Sequence, residues 1–316
     1  MKQKFVSWAE EYLFFPNLFQ QFLSVLLLPF TLIYILVILF KRASSTPKEF
    51  GIPIISVGNL IVGGSGKTPL TIHLAQDKKD VAVVLRGYGR ASKGLFLVSL
   101  HGKILEDVNT SGDEATLLAL SLPNATIIVS ENRIEAILKA KELGCKMVFL
   151  DDGFSKYDIQ KFNILLRPKK EPTNLFCLPS GGYREPKMMY ATADLVLQEG
   201  VDFQRVVTYK QADKTVLVLP EKLLLLTAIS KPTRLLEFLP HSVKLVAFED
   251  HHLFTAEEIE KILVQYSDYS VITTQKDFVK LEQFNIKDIY LMDLALQLDE
   301  RVDLSAMQRY INTYNC

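Results

Sequence analysis

Residues 12–40 carry no charged side chain, and 22–40 read FLSVLLLPFTLIYILVILF. A helix over that run of nineteen residues rises about 28 Å, close to the thickness of a hydrocarbon core. The pattern predicts a membrane-associated N-terminal helix, spanning the bilayer or tilted in its interface. Pro29 interrupts the run and Asn17, Gln20 and Gln21 dilute its start, features that a buried core helix would also tolerate. Lys41 and Arg42 follow directly, where a cleaved signal peptide would offer small residues. Lys41, Arg42 and Lys48 after the run outweigh Lys2 and Lys4 before it, which stand near Glu10 and Glu11. That asymmetry puts the body of the protein on the cytoplasmic side.

Behind a Ser/Thr/Pro-rich linker at 43–47, the hydrophobic pattern changes. Short apolar runs at 52–57, 81–85, 125–129 and 146–150 read as strands, and 67–75 and 133–143 have helical spacing. The second half repeats the alternation, with strands expected at 222–226, 244–248 and 270–274. Thr255 before Glu257 and Glu258 opens a capped helix to about residue 266. Residues 168–186 hold four prolines and Gly181-Gly182 and read as a loop between two lobes. The fold class expected is α/β: a P-loop NTPase-like lobe with a mainly parallel sheet, plus a second, smaller α/β lobe. The corresponding division is 1–42 for the membrane-associated helix, 43–180 for the nucleotide-binding lobe and 181–316 for the second lobe.

Composition changes this picture in three places. The 36 basic and 36 acidic side chains leave no net charge, which argues against a general nucleic-acid binder. With 48% hydrophobic and 10% aromatic residues the chain is too apolar for disorder. The three cysteines, Cys145, Cys177 and Cys316, are scattered, so a disulfide framework or structural zinc site is not expected and a reducing compartment is.

Candidate chemistry begins at residues 56–68, SVGNLIVGGSGKT, between an expected strand and an expected helix. The strict phosphate-loop pattern GxxxxGK[ST] asks for glycine where Ile61 stands, but Gly63, Gly64, Ser65, Gly66, Lys67 and Thr68 keep its end intact. Glycines there let backbone N–H groups converge on phosphates at a helix N-terminus. Lys67 reaches the β- and γ-phosphates and the Thr68 hydroxyl sits on Mg²⁺. Asp151 and Asp152, at the end of the 146–150 run, supply carboxylates for that metal, with the choice between them open. Two uses of the nucleotide fit. One is a membrane-associated P-loop ATPase or GTPase switch acting on a protein partner. The other is a membrane-anchored small-molecule kinase. Val62 stands where such deviant switch loops carry a lysine, and no NKxD-like guanine reader occurs.

Eight segments then occur in order: SVGNLIVGGSGKTP, LRGYGR, SGDEA, ENR, DDGF, PSGGYREP, AFEDHHLFT and TTQKDFVKL. Together they resemble the tetraacyldisaccharide 4′-kinase family, the lipid A 4′-kinases of Gram-negative bacteria, from the apolar helix to about Leu281. The family's phosphate loop also begins with GN, so Ile61 is no departure there. The resemblance implies ATP-dependent phosphorylation, with Mg²⁺, of the 4′-hydroxyl of a lipid disaccharide 1-phosphate at the cytoplasmic face of the inner membrane. It implies no obligate protein partner.

Carried over by motif, the resemblance makes Asp113 the general base and His251 its partner. A sugar hydroxyl must lose its proton as in-line phosphoryl transfer proceeds, which a carboxylate beside histidine can accept. Arg133 and Arg184 match family arginines near the nucleotide and substrate phosphates, where they would stabilise transition-state charge. Arg86, Tyr88 and Arg90 follow the 81–85 strand and are expected at the acceptor's 1-phosphate or the membrane interface. Lys276 and Asp277 match a TxKD segment, for which lobe packing or a supporting role is expected. Each has a plainer reading: Asp113 as an N-cap for a helix over 115–120, His251-His252 as a polar loop, the arginines as surface charges. Adjacent histidines also raise zinc, but no third ligand has suitable spacing.

Departures from the family pattern are Ser155-Lys156, where glutamine-histidine is usual, and Gly182, where proline is usual. The segment FNILLRPKKEPTNL also lacks an aspartate and glycines common in relatives. These flank the metal strand and the substrate loop, and bear on the acceptor more than on kinase chemistry.

Overall fold

The computed structural model describes residues 2–212, 214–229, 232–250 and 252–314. The N-terminal apolar stretch is not the single rod its length suggests. It folds as α1 (Lys2–Phe14), α2 (Leu18–Leu26) and α3 (Leu28–Ser44), and α2 meets α3 at a bend of 58°. Pro29 stands in the first turn of α3, where a ring without an N–H is tolerated, and it forbids a helix running through from α2. The polar residues that dilute the run have a local purpose. Asn17 caps α2 by accepting from the Gln20 N–H, and the Gln20 side chain accepts from the Asn17 N–H in return. No single described helix is long and apolar enough to cross a membrane, whereas α2 and α3 taken together meet that length and composition.

One stripe of α3 is tied down by polar contacts. Thr31 Oγ1 donates to Ser180 Oγ at 2.7 Å, and Tyr34 OH donates to the Arg184 carbonyl at 2.8 Å. From α1, Tyr12 OH donates to the Pro179 carbonyl at 2.8 Å. The other stripe, Phe30, Ile33, Leu36, Val37 and Phe40, is exposed. Its spacing of three and four residues makes it one continuous apolar face.

The strands form an eight-stranded and a six-stranded sheet. The larger holds β1 (Ile54–Asn59), β2 (Val81–Leu85), β3 (Phe96–Leu100), β4 (Lys103–Ile104), β5 (Thr126–Val129), β6 (Met147–Asp151), β7 (Phe162–Arg167) and β8 (Leu195–Gln198). Its order is β4-β3-β5-β2-β6-β1-β7-β8. β1, β7 and β8 pair in parallel, as do β2 and β5, while β3 is antiparallel to both β5 and β4. The smaller sheet holds β9 (Phe203–Gln211), β10 (Lys214–Val216), β11 (Leu223–Thr227), β12 (Lys244–Ala247), β13 (Ser270–Thr274) and β14 (Tyr290–Leu298). Its order is β10-β9-β14-β13-β11-β12. Among the described residues the remaining α-helices are α4 (Lys67–Ala75), α5 (Val108–Ser111), α6 (Asp113–Ser121), α7 (Arg133–Glu142), α8 (Ala256–Gln265), α9 (Gln275–Leu281) and α10 (Ser305–Asn312). The architecture is mixed α/β with a large, mostly parallel sheet.

Backbone packing divides the chain into two units, each assembled from separate stretches. The first is Met1–Lys67, Leu150–Phe203 and Leu298–Cys316; the second is Thr68–Phe149 and Gln204–Gln297. The first has a core of Phe14, Leu60, Phe154, Leu165, Tyr183 and Met189. In the second, β11 alternates: Leu224 and Leu226 face one cluster, with Ile259 and Leu281, while Leu223 and Leu225 face another, with Leu235 and Met292. Cys145 and Cys177 are buried free thiols, and burial pushes the Cys177 thiol up to about 11.

Gly182, one of the departures noted above, has a local physical account. Its N–H donates to the Leu13 carbonyl at 3.0 Å, and its carbonyl accepts from the Val62 N–H at 2.9 Å. A Cβ built there would meet the Phe14 ring at 2.4 Å, and that ring is fixed in the core. Proline would remove the donor and alanine would overlap the ring. Gly182→Ala should therefore destabilise the protein by about 1–3 kcal/mol, measured by urea unfolding. Phe14→Ala in the same chain should remove the alanine's own part of that loss.

Candidate active site

β1 delivers the phosphate loop. All six of its residues are buried, so its end is fixed, and α4 begins at Lys67. Gly63 and Gly66 hold φ of 95° and 85°, a region closed to most side chains. They are what lets the chain turn from strand into helix with its N–H groups unblocked. Ser65 Oγ is buried with no hydrogen-bond partner among the described residues, a donor left over for a ligand oxygen.

Around this loop the first unit gathers three of the expected residues with one that sequence reasoning missed. Arg184 grips Asp152 with both terminal nitrogens, at 2.8 and 2.9 Å. One of them also donates to the Asn59 carbonyl at 3.0 Å and to Asn59 Oδ1. Lys67 Nζ donates to the same Oδ1 at 3.2 Å and lies 3.9 Å from Asp152. Burial disfavours the Arg184 charge, but the bonds and charge of Asp152 outweigh it, and its pKa rises above the ordinary value. Asp152 itself sits at φ 55°, held by its N–H to the Val57 carbonyl at 2.9 Å. Asp151 is buried at the end of β6. Asn59 belongs to the GN pair that opens the loop, and that pair was the available signal for its role.

A second cluster stands in the second unit. Asp113 is the first residue of α6, after Gly112 at φ 85°, and it is 5% exposed. Its Oδ1 accepts from the Glu114 N–H at 2.9 Å. Lys276 and Lys280 bring their ammonium groups to 3.6 and 3.7 Å from its Oδ2. Lys276 also lies 3.8 Å from Glu114 and 3.6 Å from Asp250. Lys280 is anchored by Asp277 at 2.8 Å. Asp277, fully buried, accepts from Thr227 Oγ1, the Ala228 N–H and Thr274 Oγ1 at 2.6, 3.0 and 3.0 Å. Lys280 stands one helical turn beyond the TTQKD motif, and that i, i+4 spacing was its signal in the sequence.

His251 lies outside the described residues. Its neighbour His252 is structural: Nε2 lies 3.0 Å from Glu258, and the ring stacks on Phe248 at 4.6 Å. Arg133 opens α7 with its side chain buried and donating to the Ser130 carbonyl. Arg90 is engaged by Glu131 at 2.7 Å and by the Gly94 carbonyl, and its hydrogen bond holds the Glu131 carboxyl down at about 2. Arg86 and Tyr88 are exposed. Among the described residues no group of three or more His, Cys, Asp or Glu side chains is arranged to hold a metal. A magnesium ion shared between a threonine, an aspartate and nucleotide phosphates needs no such group.

Loop, helix and convergent cations define a P-loop phosphotransferase. The family model described as LpxK, tetraacyldisaccharide-1-P 4′-kinase, matches residues 23–312. The chain therefore belongs to the tetraacyldisaccharide 4′-kinase family. It is 63% identical to the tetraacyldisaccharide 4′-kinase of Aliarcobacter butzleri over 314 residues, 99% of this chain and 100% of that one. With the Helicobacter pylori kinase it shares 46% over 308 residues, 97% and 96% of the two chains. A crystal structure described as the "apo" form of LpxK from Aquifex aeolicus in complex with ATP matches with a TM-score of 0.74 at 28% identity, covering 92% of this chain and 99% of that chain. The family favours a lipid A kinase over a membrane-bound NTPase switch.

The Asp277 knot generates its own expectation. Asp277→Ala strips a fully buried ammonium of its anchor and leaves three donors unpaired. Thermal or urea unfolding should show a loss of about 3–5 kcal/mol.

Proposed function

We propose that the enzyme transfers the γ-phosphoryl group of ATP to the 4′-hydroxyl of a tetraacyldisaccharide 1-phosphate, working at the cytoplasmic face of the inner membrane. The single observation that carries the residue assignment is the convergence of Lys67 and Arg184 on Asn59 and Asp152 at the mouth of a glycine loop. Two cations held there by side-chain oxygens are ready to exchange those partners for phosphate oxygens. Such a pre-set arrangement costs little reorganisation at the moment of reaction. The loop fits a nucleotide through its left-handed glycines and the unpartnered Ser65 hydroxyl.

Thr68, Asp151 and Asp152 are the oxygen donors that would hold Mg²⁺, which when bound neutralises charge on the phosphates. Lys67 neutralises the β- and γ-phosphates and Arg184 the charge that spreads over the transferred group. Arg133 is assigned to the phosphates with them. Asp113, with His251, accepts the proton of the 4′-hydroxyl. As that oxygen bonds to the γ-phosphorus, the bond to the β–γ bridging oxygen breaks and ADP leaves with the electron pair. Arg86, Tyr88 and Arg90 are assigned to the acceptor side. For membrane attachment the support is the exposed apolar stripe of α3 together with Lys41 and Arg42 in its last turn.

Lys67→Ala should weaken Mg-ATP binding in calorimetry and abolish product in a lipid-phosphorylation assay read by mass spectrometry. Asp113→Ala should keep ATP binding while turnover falls by about 10²- to 10⁴-fold. ATP hydrolysis indifferent to the lipid acceptor would overturn the kinase reading. In a separate test, Leu36→Glu with Phe40→Glu should release the folded protein from anionic vesicles in sedimentation. Unchanged binding would remove α3 as the anchor.

A further inference from the structure

We propose that Lys276 is a positioning residue for Asp113, holding its carboxylate ionised and its Oδ2 turned toward α9. The proposal rests on the reading of Asp113 as the proton acceptor and adds what makes it fit to be one.

α6 and α9 bring the two residues together. Lys276 and Lys280 project from one face of α9, a turn apart, toward the first residue of α6. The two lysines differ in kind. Lys280 is sealed in, its side chain 2% exposed, with Asp277 on one side and the Phe254 ring 5.5 Å away. Asp277 is in turn fixed by three donors, so Lys280 is a permanent part of the scaffold. The Lys276 side chain is 18% exposed and has three carboxylates within 4 Å, the buried Asp113 and the partly exposed Glu114 and Asp250. Burial disfavours its charge, yet Asp113, Glu114 and Asp250 more than compensate and raise its pKa. It is a cation kept charged by a ring of acids.

Asp113 lines a cavity of about 80 Å³, together with Gly89, Asn109, Gly112, Leu253 and Lys280. That is space for a few atoms beside a buried carboxylate. A carboxylate with 5% exposure would by burial alone prefer to be neutral, and a neutral Asp113 accepts no proton. Lys276 and Lys280 supply compensating charge from α9, Lys276 being the more exposed of the two, while the Glu114 N–H and the N-terminus of α6 supply it from behind.

The charged groups around Asp113 bear on the test. α9 contributes Lys276, Lys280 and Asp277, and α6 contributes Glu114. Asp250 lies beyond Lys276. Tyr88 and Arg90 stand against Gly112. The segments of α5, β3 and β5 carry no ionisable side chain, and His251 lies outside the described residues.

A base works deprotonated, so turnover falls with acid through the pKa of Asp113. Removing an opposite charge at this distance raises that pKa by about 1–3 units. In Lys276→Met the acid limb of the kcat–pH profile should move upward by that amount, with lost turnover recovered at alkaline pH. Lys276→Arg should keep the wild-type limb, and the KM for ATP should stay unchanged in both. A uniform fall in kcat at every pH, with the limb in place, would mean packing alone and overturn the proposal. Asp113→Asn separates the two layers. If it retains full activity, the reading of Asp113 as the base fails. If it loses activity while Lys276→Met keeps the wild-type limb, only the role of Lys276 falls. Circular dichroism of each variant confirms that folded protein is being compared.

Discussion

The grip of Arg184 on Asp152 and Asn59 is the constraint on which the first unit turns. Asn59 ends the central strand β1, Asp152 follows β6, and Arg184 belongs to a loop far along the chain. Three chain segments with no sequence proximity are thus fixed at one point beside the phosphate loop. Arg184 adds a backbone bond, its N–H to the Leu60 carbonyl at 2.7 Å, so its main chain is held as firmly as its side chain. A planar guanidinium serves here where an ammonium would not, because four acceptor atoms must be met from one group. The grip also reaches outward. The Arg184 carbonyl is the acceptor for Tyr34 of α3, so an apolar helix and the arginine beside the phosphate loop share one hydrogen-bond chain.

The second unit solves a different problem with the same means. A buried acid, Asp113, lies there among cations. Asp277 and Lys280 form the rigid pair, fully enclosed and 2.8 Å apart. Lys276 and Asp113 form the looser pair beside them, close enough for attraction and not locked by hydrogen-bond geometry. A structural ion pair and the pair we propose to be chemical thus lie within a single helical turn, on the sequence neighbours Asp277 and Lys276.

How much of this was legible beforehand follows from burial. β1, β2, β5, β6 and β11 are buried along their whole length, so each is built around a short, mainly apolar run and was readable. β9 and β14 are only partly buried, and their mixed sequences carry no clear period. β7 ends directly before Pro168 and reads as the head of the loop that follows. The phosphate loop was legible because local backbone geometry dictates its glycines. The apolar run at 22–40 reads as one helix interrupted at Pro29, and the bend between α2 and α3 beside that proline has no further local trace. The partners of Asp152 and Asp113 were out of reach, because a pairing across 32 residues, or across more than half the chain, leaves no local trace.

Gly182 and Phe14 meet although one stands past the middle of the chain and the other near its start. The ring occupies the volume that a side chain at 182 would need, and the Leu13 carbonyl takes the N–H that proline would lack. The two positions are therefore one heritable trait rather than two. A relative with proline at the place of Gly182 must find the Leu13 carbonyl another donor and set its own residue 14 aside. The cost of a change at one end of the pair therefore depends on what stands at the other.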